Sequence, residues 1–68
     1  MNKLQKIKLT KNIKLMKQST NECVEVLEAF RDSYTLPNSD ISQQLNNVIK
    51  HQQNMVRFFG ILENEVNK

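Results

Sequence analysis

ISQQLNNVIKHQQNMVRFFGILENEV, residues 41–66, decides how this chain folds, because Ile41, Leu45, Val48, Gln52, Met55, Phe59, Leu62 and Val66 follow one another at alternating steps of four and three. That spacing returns to the same side of an α-helix every two turns and predicts one long helix with an apolar seam. The preceding half of the chain carries a matching series at the same steps: Leu9, Ile13, Met16, Thr20, Cys23, Leu27, Phe30 and Tyr34. Folded back on each other, the two series pair in antiparallel order, Tyr34 with Ile41, Leu27 with Val48, Met16 with Phe59 and Ile13 with Leu62. The expectation is an all-α antiparallel two-helix hairpin, with a helix over about residues 3–34, a turn at about 35–39 and a second helix over about 40–67. The chain is then a single helical-hairpin domain, residues 1–68.

The bend implied by this pairing falls between Pro37 and Asn38, inside the strongest turn signal of the chain, Thr35-Leu36-Pro37-Asn38-Ser39-Asp40. Pro37 disfavours helix at Leu36 and has no N–H to donate, so the first helix should stop near Tyr34. Asn38, Ser39 and Asp40 can each cap the second helix, and Asp40 with Gln43 has the spacing of a capping box. A competing reading exists for residues 3–18, where Ile7, Leu9, Ile13 and Leu15 alternate with polar residues as in a strand. Ser19 to Glu22 would then start a shorter helix. The long helix is preferred because a short one leaves Met55, Phe59, Leu62 and Val66 with nothing to cover them.

A chain of 68 residues has a small core and needs additional support. Cys23 is the only cysteine and His51 the only histidine, so neither a disulfide nor a structural zinc site can supply it. Oligomerisation or a partner is left. The apolar surface is also wider than the seam, with Val24, Ile49 and Val56 along one side of it and Val26 and Phe58 along the other. This breadth predicts dimerisation into a four-helix bundle or capture of a partner's helix, with Val24, Ile49 and Val56 as the working strip and Phe58 as its aromatic anchor.

Charge is distributed unevenly: residues 1–17 hold six lysines and no acid, and the rest of the chain is net acidic, +6 against −3. Lys3, Lys6, Lys11, Lys14 and Lys17 fall within an arc of roughly 140° on the first helix. Such a stripe could contact nucleic-acid phosphates, an acidic protein or an anionic membrane surface, or be a solvated face with Lys11 and Lys14 near Glu63 and Glu65. The absence of long apolar runs predicts no membrane span and a cytoplasmic protein with a reduced thiol. The Lys- and Asn-rich composition suits the AT-rich genome of a bacterium or phage.

No acid–base pair, nucleophile with a base, metal cluster or glycine-rich phosphate loop is present, so neither catalysis nor a cofactor is expected. Cys23 reads as a small buried residue opposite Gln52, Gln52 as a polar seam residue able to fix register, and His51 as a solvated edge residue. Ile41-Ser42-Gln43-Gln44-Leu45-Asn46 resembles the Ser-Gln-Glu-Leu-Asp signature of small helical-hairpin phosphatases of sporulation response regulators. Ser42, Gln43 and Leu45 match. Asn46 stands where that family has its acidic residue, so the chemistry attributed to that residue does not carry over. In size and plan the chain is also similar to the plasmid-encoded RNA-binding hairpin that dimerises into a four-helix bundle. The expected function is a small non-enzymatic protein–protein interaction module, a homodimer that also binds another protein; nucleic-acid binding through the lysine stripe is the alternative.

Overall fold

In the computed structural model, which describes residues 2–68, two helices lie side by side: α1, Lys3–Tyr34, and α2, Asp40–Val66. They run antiparallel, since Lys6 near the start of α1 reaches the carbonyl of Lys68, while Arg31 near its end meets Asn46 early in α2. The rod measures 51 × 15 × 10 Å between Cα extremes. Its length is close to the roughly 48 Å of a 32-residue helix rising 1.5 Å per residue.

Both helix starts are fixed by side-chain caps. Asn2 Oδ1 accepts from the Gln5 N–H at 2.8 Å and Gln5 Oε1 accepts from the Asn2 N–H at 3.1 Å, a reciprocal box that begins α1 at Lys3. The strand alternative for residues 3–18 is thereby excluded. Ser19 to Glu22 lie in mid-helix, and the Thr20 hydroxyl, unused as a cap, donates back to the Met16 carbonyl at 2.8 Å.

Leu36, Pro37, Asn38 and Ser39 form the turn, closed by the Ser39 N–H donating to the Leu36 carbonyl at 3.2 Å. Proline followed by Asn38 at φ 63° is the type II arrangement, whose third residue must enter the left-handed region that asparagine tolerates. Ser39 caps α2, its Oγ accepting from the Ser42 N–H at 3.1 Å. The box expected of Asp40 with Gln43 does not form. Asp40 instead occupies the first helical turn, where its charge favours the helix dipole, and the Gln43 carboxamide donates to the Asn38 carbonyl at 3.4 Å.

The seam that closes the hairpin is displaced by one residue from the expected one in half of its positions. Its buried apolar residues are Ile13, Val24, Ile49 and Phe59. On α1 the row runs through Thr10, Ile13, Lys17, Thr20, Val24, Leu27 and Arg31, and on α2 through Ser42, Leu45, Ile49, Gln52, Val56, Phe59 and Glu63, all buried or half-buried. Ile13, Thr20 and Leu27 keep their expected place, as do Leu45, Gln52 and Phe59. Leu9, Met16, Cys23 and Phe30 are replaced in the seam by their successors Thr10, Lys17, Val24 and Arg31; Ile41 and Val48 are replaced by Ser42 and Ile49. Each helix is thus turned by about half of the 100° that separates neighbouring residues.

Candidate functional site

The rotation of the two helices has opposite effects on the two edges of the hairpin. One edge is polar and latched: Lys17 Nζ stands 3.5 Å from Glu63 Oε1, and Arg31 Nη1 donates to Asn46 Oδ1 at 2.8 Å. Arg31 Nε also donates to its neighbour Asp32 at 3.0 Å, so one guanidinium is held from two sides. The aliphatic stems of Lys17 and Arg31 cover the seam while their charged ends remain at its rim.

The other edge is apolar and open. Leu9, Met16, Cys23 and Phe30 recur every seven residues on α1, and Ile41, Val48, Met55 and Leu62 every seven on α2. Because antiparallel helices present their residues in opposite rotational order, a turn of the same sense on each brings both rows to the same edge. Leu9, Met16, Phe30, Ile41 and Val48 are exposed, as is Cys23; Met55 and Leu62 are half-buried. Tyr34 extends the α1 row toward the turn, its ring centroid 5.4 Å from that of Phe30.

The strip expected to meet a partner is therefore not available. Val24 and Ile49 are buried between α1 and α2 and Val56 is half-buried beside them, so these residues close the hairpin. Phe58 alone of that group is exposed, on the outer shoulder of α2. Conversely, Met16 and Val48, read as core, each expose 44% of their surface, so Met16 with Phe59 and Leu27 with Val48 are not the pairs that fill the seam. Cys23, expected to be buried opposite Gln52, is on the open edge.

The lysines divide by partner. Lys17 pairs with Glu63, whereas Lys3, Lys11 and Lys14 have no carboxylate partner among the described residues. Glu65 pairs with Lys68 at 2.9 Å and Glu63 with Lys17, while Lys14 lies near Glu63, lining the same groove without an ion pair to it. His51 is exposed. Of Ser42, Gln43 and Leu45, which carry the likeness to the phosphatase signature, Ser42 and Leu45 are turned into the seam and Gln43 is exposed, and Asn46 accepts from Arg31. Among the described residues no three His, Cys, Asp or Glu side chains come together as a metal site would need, and no helix is long and apolar enough to cross a membrane. Comparison of the chain with protein-family models, curated proteins and solved structures returns no match.

Proposed function

We propose that the hairpin is a non-enzymatic protein–protein interaction module that works through its open apolar edge, pairing with a second copy to form a four-helix bundle. In that form it would serve as a regulator, inhibitor, chaperone or assembly subunit for another protein. One observation carries the reading: two apolar rows with a seven-residue repeat, one from each helix, lie along the same edge, exposed at Leu9, Met16, Phe30, Ile41 and Val48, while the opposite edge is latched by Lys17 and Glu63. Knobs at this spacing are what a facing pair of helices accepts into its holes.

The area supports an occupant of this size. The chain exposes 5453 Å², whereas a compact monomer of 8.0 kDa would expose about 4450 Å². The excess, roughly 1000 Å², resembles the ~800 Å² that each partner contributes to a stable interface. A radius of gyration of 15.6 Å, against about 11 Å for a compact domain of this length, reflects the same lack of a second layer. A second copy would supply that layer with the same two rows, as a two-fold interface requires.

The test is thermal unfolding over a wide range of chain concentration, since association of folded chains makes the midpoint depend on concentration. A Tm that climbs with concentration is expected; a constant one would leave the apolar edge without a second copy. Nucleic-acid binding has weaker support, because Leu4, Ile7 and Leu15, all exposed, interrupt the lysines, and no aromatic side chain is interleaved there.

A further inference from the structure

The outer face of α1, turned away from α2, carries a second apolar feature that the four-helix bundle does not use. Leu4, Ile7 and Leu15 stand 53–62% exposed on it, within an arc of about 80° at 100° per residue and over about 16 Å of helix. Lys3 and Lys14 line one side of this ridge, Lys8 the other, and Lys11 lies within it. A shallow groove runs from Ile7, Lys11, Lys14 and Leu15 on this face to Thr10 and Asn67, where it borders the end of α2. Between Lys3 and Asn21 there is no acidic residue, and the first acid of α1 is Glu22. The rows built on Leu9 and Ile41 lie elsewhere on the hairpin, so this face stays free when they are covered.

We propose that this face docks on the surface of a bilayer that carries anionic lipids, lying flat in the interface without crossing it. The lysines match the negative headgroups, and their stems are long enough to lift the ammonium groups to headgroup level while Leu4, Ile7 and Leu15 enter the acyl boundary. The apolar ridge distinguishes this occupant from a nucleic acid. Three aliphatic side chains pressed against a phosphate backbone would strip water from the phosphates without offering them a hydrogen bond, whereas at a bilayer their own transfer out of water supplies part of the binding. Phosphate contacts need the lysines alone. The four residues Lys3, Lys8, Lys11 and Lys14 have no carboxylate partner among the described residues, so docking breaks no ion pair.

Co-sedimentation of the full chain with vesicles tests this, using phosphatidylcholine alone and phosphatidylcholine mixed with phosphatidylglycerol. Binding is expected to the mixed vesicles only. The Ile7→Ser, Leu15→Ser double variant keeps every charge, and because both positions are exposed its helical circular dichroism should match the parent. Its partition onto mixed vesicles should fall about tenfold or more. Lys11→Gln and Lys14→Gln should each lower it about fivefold. The proposal is overturned if the parent ignores mixed vesicles, or if the serine variant binds them as well as the parent. It is overturned equally if both chains bind a DNA duplex with the same affinity while neither binds vesicles, which would assign the lysines to phosphates.

Discussion

Lys17 and Glu63 meet across the hairpin at 3.5 Å, and Met16, one residue earlier on α1, faces the opposite edge with 44% of its surface exposed. The pair of neighbours marks the division of the molecule into a charged, closed edge and an apolar, open one.

The ion pair itself contributes little. With the Lys17 side chain 41% and that of Glu63 19% exposed it is partly screened, and a double-mutant cycle of Lys17→Ala and Glu63→Ala in urea should give a coupling of about 0.2–1 kcal/mol that shrinks with added salt. A coupling well above that range would mean that the latch, not apolar packing, holds α1 to α2.

Asn38, at φ 63°, sets the type II turn. Asn38→Gly should be tolerated or slightly stabilising, whereas Asn38→Val should cost about 1–2 kcal/mol because a branched side chain crowds the backbone in the left-handed region. Urea midpoints of the two variants check this; equal stability would show that the turn can relax to another type.

Gly60 lies within α2 at negative φ, and a Cβ added there would meet nothing within 4 Å. Gly60→Ala should therefore stabilise the hairpin by about 0.5–1 kcal/mol, seen as a rise of several degrees in Tm at fixed concentration. A fall in Tm would indicate that another backbone approaches Gly60 closely in the assembled state.

Cys23 lies on the open edge and is exposed in the single hairpin. If the edge is covered by a second copy, alkylation of Cys23 by iodoacetamide should slow as chain concentration rises. A rate independent of concentration would place Cys23 outside the interface.

How much of this was legible in the sequence differs between helix ends and helix faces. Tyr34, Pro37 and Ser39 delimit the turn through local chemistry, namely a missing N–H and a side-chain cap, and local chemistry survives folding unchanged. The seam is different. Apolar spacing marks which residues are to leave water but not which neighbour removes them. Met16 and Val48 look like core residues because they are apolar, yet the hairpin closes over Lys17 and Ile49. The stems of Lys17 and Arg31 and the small side chains of Thr10 and Ser42 serve as packing surface there, which a reading by residue polarity assigns to solvent. Two frames share the row of Ile13, Thr20 and Leu27, and half a residue step of rotation separates them. The clue available beforehand was that Lys17 and Glu63 occupy the frame's polar side on both helices and can bond across it.

The most direct measurement of the central claim, that Met16 and Val48 face outward while Val24 and Ile49 hold the hairpin together, is sedimentation equilibrium combined with circular dichroism on two double variants. Met16→Asp with Val48→Asp should stay helical and sediment at the mass of one 8.0 kDa chain where the parent sediments at twice that. Val24→Asp with Ile49→Asp should lose its helical signal, because each introduces an unpaired charge at a buried position. The account is contradicted if the second variant folds and merely dissociates, or if the first unfolds.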